Sequence, residues 1–362
     1  MANNKAPSLS ASRQKVIPTS TVGRGKAFEL NTLPSEDRWT DGQVTLCCGD
    51  SLKLYGTWDP PIAIVSDGGY GILGFEGDTS GHLDLPHWYE PHIRAWSERA
   101  TPQTTLWFWN SEIGWAAVHP ILEKYGWRYV NANIWNKGKA HIAGNVNTTK
   151  IRRFPVVSEL CVQYTLEARV NGATLQQWLI SEWKRTGLPL ADANEACDVK
   201  DAAVRKYLDK GHLWYYPPPE MFARLAAYAN ERGDSAGRPY YSRDGINAMS
   251  IDEWSAMRST FRCPHGVTNV WDRLPLKGAE RVKVPEGVTK SAHLNQKPLD
   301  LMSMIIEASS SQGDVVWEPF GGLFSASLAA KLLGRRAFSA EIDPCYFQLG
   351  AARFQTPSLA LF

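Results

Sequence analysis

The chain has 362 residues, with Lys+Arg 39 against Asp+Glu 37, a formal charge of +2 and a pI near 8.1. At roughly 100–200 residues per domain, that length accommodates two domains, or one α/β domain carrying a large insertion. The charge balance excludes a uniformly basic protein of the histone type, so any nucleic-acid contact must come from a local patch. No run approaches the ~18 apolar residues of a membrane span.

In chain order, residues 1–27 are polar and rich in Ser, Thr and Pro, without the apolar stretch of a secretory signal. They predict a disordered tail and a cytoplasmic location. Over 28–165, short apolar runs at 43–48, 61–67, 104–110, 127–135 and 159–165 are bounded by Gly, Pro or Asp. They read as buried strands of a largely parallel sheet, and helical spacing at 87–100 and 111–126 completes a βαβ alternation. Residues 166–290 change character, with helical segments, a Pro-rich stretch and a polar Gly/Ser/Arg stretch replacing the strands. This predicts an inserted, mainly helical domain. From 291 to 362 the α/β pattern returns, with a helix at 296–310, a strand at 314–320, a Gly turn, a helix at 325–334 and a strand at 337–343. The predicted fold is therefore α/β, a doubly wound Rossmann-like sheet built from both ends of the chain. The six cysteines, without a C-x-x-C pair, suit neither a zinc site nor a disulfide framework and are expected to be buried, inert thiols. No metal constellation is expected.

Two segments carry chemistry. The strand ending in Glu318-Pro319-Phe320 is followed by Gly321, Gly322 and a helix opening at Ser325, which lets a cofactor approach backbone N–H groups. The next strand ends in Glu341, roughly 20 residues on, where ribose hydroxyls are bound in doubly wound folds. The G-x-G-x-x-G of a dinucleotide fold is missing, which disfavours an NAD-dependent oxidoreductase. The second segment, Ser66-Asp67-Gly68-Gly69-Tyr70, puts a carboxylate and a ring at the carboxyl edge of the sheet.

The order of these segments resembles the S-adenosylmethionine-dependent amino-DNA methyltransferases, in the subgroup whose catalytic motif precedes its cofactor motif. Cys48-Gly49-Asp50-Ser51 looks like the short element whose Asp lies near the cofactor adenine. Asp67-Gly68-Gly69-Tyr70 looks like the catalytic D-P-P-Y, and His293-Leu294-Asn295-Gln296-Lys297-Pro298 resembles H-P-x-x-K-P. Glu318-Pro319-Phe320-Gly321-Gly322 with Glu341 resembles D-P-F-x-G and its ribose acid. The similarity covers about 43–165 and 268–354. It implies a methyltransferase sheet in two halves, 28–165 catalytic and 291–362 cofactor-binding, with target recognition between them at 166–290. It implies catalysis by Asp67, Gly68 and Tyr70, and S-adenosylmethionine held by Asp50, Lys297, Glu318, Pro319, Phe320, Gly322 and Glu341. Double-stranded DNA is the implied substrate, with adenine N6 favoured by Asp67. Ser66 keeps cytosine N4 open, and a cognate restriction endonuclease stays open as a partner. Two departures stand out. Gly68-Gly69 replaces Pro-Pro, which predicts a less rigid catalytic loop. Phe324 replaces a cofactor-turn glycine, which questions the fit of the methionine end. Together they motivate a second reading, a DNA-binding regulator on a decayed scaffold.

DNA contacts are expected from the acid-free stretch bearing Lys137, Lys139, Lys150, Arg152 and Arg153, a phosphate-binding pattern. Residues 190–208 resemble a helix-turn-helix, with Ala193, Ala196, Val199, Val204 and Leu208 packing its two helices. Its second helix would present Lys200, Arg205 and Lys206 to a groove.

Overall fold

The computed structural model describes residues 37–355, apart from 74–77, 140–151, 153, 200–202, 212, 236, 284–294 and the side chains of Ala203 and Arg205. The N-terminal tail, Lys150, Arg153, Lys200, His293 and Leu294 therefore lie outside the described residues.

The first half of the sheet runs through β1 (Arg38–Thr40), β2 (Val44–Cys48), β3 (Ala63–Ser66), α1 (Leu85–Arg99), β4 (Thr105–Asn110), α2 (Glu112–Lys124), β5 (Trp127–Asn136) and β6 (Ser158–Leu166). A helical unit follows, with a β7 (Arg169–Val170) and β8 (Ala173–Thr174) hairpin, α3 (Leu175–Arg185), α4 (Leu190–Cys197), α5 (Ala203–Tyr207), α6 (Pro219–Arg232) and α7 (Ile251–Ser255). The chain returns through β9 (Val270–Asp272), α8 (Leu299–Ser309), β10 (Val315–Glu318), α9 (Ser325–Leu332), β11 (Arg336–Glu341) and α10 (Pro344–Ala352). None of these helices is long and apolar enough to cross a membrane.

Nine strands form one sheet in the order β1-β2-β11-β10-β3-β4-β6-β5-β9. Pairing is parallel except at β1, which joins β2 antiparallel, and at β6, which runs antiparallel between β4 and β5. Strands β3 and β4 are buried along their whole length because helices cover both faces. Alternation divides their side chains. Ala63, Val65, Trp107 and Trp109 face the core made with α8, α9 and α10, while Ile64, Leu106 and Phe108 face α1 and α2. The doubly wound expectation holds, with β9 as an extra strand that the sequence reading placed inside the insertion.

β10 and β3 are neighbours. From β10 the chain winds one way to β11 and from β3 the other way to β4, so a crevice opens outside their carboxyl ends. In doubly wound folds that switch point is where ligands bind.

The helical unit has its own core, spanning Ala168 to Met257 and centred on Trp178, Phe222, Tyr241 and Trp254. It leaves the sheet at Leu166, which pairs with Trp127 at the start of β5. That is the amino edge, where Pro102, Thr165 and Leu166 share a cleft with Trp214, Tyr216 and Arg258. From Glu159 to Leu166 the strand covers roughly 23 Å, at about 3.3 Å per residue. The unit is therefore attached at the end of the sheet opposite the crevice. In the segment expected to form a helix-turn-helix, Ala193 and Val204 are buried and Asp198 is in the left-handed conformation after α4 (φ 52°). However, α5 has only five residues, about 7.5 Å of helix. Lys206 on it is exposed.

All six cysteines are free, but only Cys161 and Cys197 are buried, and Cys263 and Cys345 are exposed. The expectation of buried thiols fails for that exposed pair, Cys263 between α7 and β9 and Cys345 at the start of α10, and Cys47 and Cys48 are only half-buried.

Candidate active site

The crevice is a cleft of about 550 Å³. Asp50, Asp67, Gly68, Tyr70, Lys297, Glu318, Pro319, Phe320, Gly322 and Glu341 all line it. Every residue proposed from sequence for catalysis or for the cofactor thus comes to one place, although the set spans most of the chain.

At one end, Asp67 follows β3. Its carboxylate accepts hydrogen bonds from Lys297 Nζ at 2.6 and 2.7 Å. The same ammonium lies 2.9 Å from Glu159 Oε1, and Lys137 Nζ lies 2.8 Å from Glu159 Oε2. The Tyr70 hydroxyl sits 2.6 Å from Glu159 and 2.9 Å from Asp67. A phenol carries one proton, so the shorter contact to Glu159 is the bond it donates. Two carboxylates and two ammonium groups thus form a neutral cluster in which each charge has a partner. Burial by itself would raise the Glu159 pKa, but Lys297 and Lys137 outweigh it and hold the carboxyl down at about 2. Burial would lower Lys297, but Asp67 and Glu159 outweigh it and keep the ammonium well above its usual range. Burial, reinforced by Asp67 and Glu159, pushes the Tyr70 phenol far up, so it stays protonated.

Lys297, expected from sequence to hold the cofactor, lines the cleft but spends its ammonium on Asp67 and Glu159. Lys137, expected in a phosphate-facing loop, joins the same cluster. The sequence reading did not identify Glu159. Its signal was a charge at the head of an otherwise apolar strand, Leu160-Cys161-Val162, where burial demands a partner.

The Gly68-Gly69 departure has a physical reason. A Cβ at Gly68 would lie 2.7 Å from the Phe320 ring and 2.8 Å from the Tyr89 hydroxyl. The position needs glycine for space, because the turn after β10 presses against the loop after β3. The loop is held in place as well. The Gly69 carbonyl accepts from Tyr89 at 3.1 Å and from Asn110 Nδ2 at 2.9 Å. Hydrogen bonding replaces the stiffness that proline would supply, contrary to the expected looseness.

The Phe324 departure is likewise absorbed. Its backbone is left-handed (φ 56°), at a cost of about 1–2 kcal/mol, and its ring is fully buried in the core against Phe347. A Cβ at Gly321 or Gly350 would meet that ring at 2.2 or 2.5 Å. The ring fills a hole beneath the turn and does not line the cleft.

At the other end, Glu341 accepts from Gly322 N–H at 2.6 Å and Asp343 N–H at 2.8 Å. Burial pushes its pKa up to about 7 against those two donors. Glu318 is also raised by burial to about 7, and its two oxygens take the N–H groups of Ala326 and Ser327. Its carboxylate therefore secures the start of α9, and only its cleft-facing edge is available to a ligand. Asp50 caps the short turn at 51–53 by accepting from Leu52 N–H.

Residues 56–352 match the N6/N4 methyltransferase family, described as DNA methylase. The chain belongs to that family. Curated relatives match the chain in part. The type II methyltransferase M.HinfI of Haemophilus influenzae is 37% identical over 87 residues, 24% of each chain. The DNA adenine methyltransferase YhdJ of Escherichia coli is 39% identical over 66 residues, 18% of this chain and 22% of its own. The type II methyltransferase M2.MboI of Moraxella bovis is 27% identical over 150 residues, 40% and 48% of the two chains. The matched stretches thus span between about a fifth and a half of these relatives. Among solved structures, the M1.HpyAVI–SAM complex covers 86% of this chain and all of its own at 16% identity and a TM-score of 0.46. The cytosine-N4-specific PvuII DNA methyltransferase covers 88% of both at 13% identity and 0.47.

Among the described residues, the basic side chains expected to touch DNA fall in separate places. Lys139 and Arg152 are exposed where β5 ends and before β6 begins, at the carboxyl edge beside the cleft. Lys206 lies in the helical unit, at the other end of the sheet. Between residues 167 and 257 the sequence has eleven Lys and Arg against thirteen Asp and Glu, so this unit is not a basic surface.

Proposed function

We propose that the chain transfers a methyl group from S-adenosylmethionine to an exocyclic amine of a base in double-stranded DNA, with adenine N6 as the target. The observation that carries this reading is the interlock at the switch point, where Gly68 of the catalytic loop abuts Phe320 of the cofactor turn in one cleft. That contact sets a methyl donor in one lobe against an amine held in the other.

The donor set of the cleft fits this cofactor. Glu341 and Asp50 offer carboxylates to ribose hydroxyls and an adenine amine, and the rings of Trp88 and Phe320, 5.1 Å apart, offer an apolar wall. When bound, S-adenosylmethionine supplies the electrophilic methyl group. An exocyclic amine is a weak nucleophile because its lone pair is delocalised into the ring. An acceptor on its N–H favours the localised lone pair, and this matters most in the transition state. Asp67 is that acceptor, and the carbonyl of Gly68 is the second. Lys297, fixed by Glu159, aims the Asp67 carboxylate. Tyr70, tied by its hydroxyl, presents its ring to a base extruded from the duplex. Lys139 and Arg152 at the same edge are the phosphate contacts in this reading. The helical unit, near-neutral and at the opposite edge, reads sequence only where the duplex extends that far.

The test is methyl transfer from labelled cofactor to unmethylated plasmid DNA, followed by sequencing of the modified bases. Wild-type chain should label duplex DNA at adenine, and Asp67→Ala should lose activity by a factor of about 10²–10³. Label on cytosine redirects the target, and full activity in Asp67→Ala sinks the mechanism. A regulator on a decayed scaffold predicts weak or no binding of the cofactor in calorimetry, which separates it from an enzyme.

A further inference from the structure

Immediately after the catalytic loop the chain exposes apolar side chains that nothing in the described structure covers. Ile72 and Leu73 are 65% and 68% exposed, and Leu83 is 79% exposed. They project from a braced turn. Gly71 is left-handed (φ 69°), and a Cβ there would lie 2.8 Å from the Gly81 backbone. The buried Asp78 carboxylate accepts from the N–H groups of Gly71 at 2.8 Å, Ile72 at 3.1 Å and Thr79 at 2.9 Å. Leu73 N–H reaches the Thr79 carbonyl at 3.3 Å, and Leu73 itself is left-handed (φ 53°). A leucine in that conformation is strained, and strain with apolar exposure beside a cleft marks a functional surface more often than a structural one.

We infer that Ile72 and Leu73 form a wedge that enters duplex DNA and fills the gap left when the target nucleotide is extruded. This inference rests on the DNA methylation reading above. An extruded nucleotide stays linked to its strand, so the gap stays beside the pocket mouth. Two and three residues beyond Tyr70, the wedge reaches at most about 10 Å from it. Branched aliphatic side chains inserted between base steps replace lost stacking without competing for hydrogen bonds. The exposed cations Lys139 and Arg152 at the same edge complement the backbone of that duplex. The occupant is therefore duplex DNA and not a protein face.

The test compares wild type with Ile72→Ser/Leu73→Ser on two duplexes carrying the site mapped by sequencing. One has the target base normally paired, and the other has it opposite an abasic position, where extrusion is already favoured. The variant should lose about tenfold or more in kcat/KM on the paired duplex and stay within about twofold on the abasic one. Cofactor binding by calorimetry should be unchanged, and Ile72→Leu should retain activity. Equal losses on both duplexes, or no loss on either, overturn the wedge. A change of oligomeric state with both activities intact assigns the patch to a contact between copies and overturns it too. If wild type methylates neither duplex, the methylation reading falls as well, a result distinct from failure of the variant alone.

Discussion

Two of the carboxylates held between paired cations, Glu159 and Glu182, differ in a way that separates chemistry from architecture. Glu159, at the crevice, is held by Lys137 and Lys297, and Lys297 is shared with Asp67 on the cleft wall. Glu182, in the helical unit, is held by Arg185 and Arg238 and by Tyr241 N–H. Those guanidinium groups also donate to the carbonyls of Arg238 and Pro239, so they lace α3 to the segment before Tyr240. Their planar, multiply donating heads suit that stitching, whereas an ammonium is a point charge that can serve two carboxylates at once. A buried ion pair is weak evidence of function by itself. What distinguishes the Glu159 cluster is that one member faces a cavity with acceptor capacity remaining.

The comparison breaks most visibly at Lys297. Lys297→Met leaves Asp67 without its cation and Glu159 with Lys137 alone. It should cost about 3–5 kcal/mol of stability, with methyl transfer down by about 10² or more; thermal unfolding and single-turnover labelling measure the two. Glu182→Gln should also lower stability, by about 1–3 kcal/mol, yet leave kcat of the folded fraction within about twofold. If it reduces kcat as Lys297→Met does, the division between the two clusters is wrong.

A third outcome concerns pH. Glu341 has a folded pKa of about 7 against an ordinary value of 4.5. Between those values the folded state holds a proton that the unfolded chain has released, so the ligand-free protein loses stability as pH rises from about 4.5 to 7. Glu318, also at about 7, adds in the same direction. In the proposed function, Glu341 accepts from the cofactor ribose hydroxyls and must be ionised to do so. Affinity should therefore weaken about tenfold per pH unit below 7, and Glu341→Gln should flatten that profile in calorimetry. The smallest effect separates the two edges. Lys139→Ala with Arg152→Ala should raise KM for DNA severalfold and reduce its salt dependence, whereas Lys206→Ala should leave both unchanged.

By itself, the sequence determined the alternation of strands and helices, the two-ended sheet and the ten cleft residues. The elements rest on local pattern, apolar runs with turn residues between them, and the cleft residues on short motifs, close in the chain, that resemble those of the amino-DNA methyltransferases. The meaning of Gly68 and Phe324 was not local. Whether a glycine supplies freedom or space depends on what lies against it, here Phe320, some 250 positions away. The roles of Lys137, Lys297 and Glu159 were hidden for the same reason. A charge reads as solvent-facing until folding brings its counter-charge within 3 Å in a medium that water does not screen. Only the tertiary structure decided that the helical insertion leaves from the amino edge, because that depends on β6 running antiparallel between its neighbours, and strand direction is not encoded in a strand's own residues.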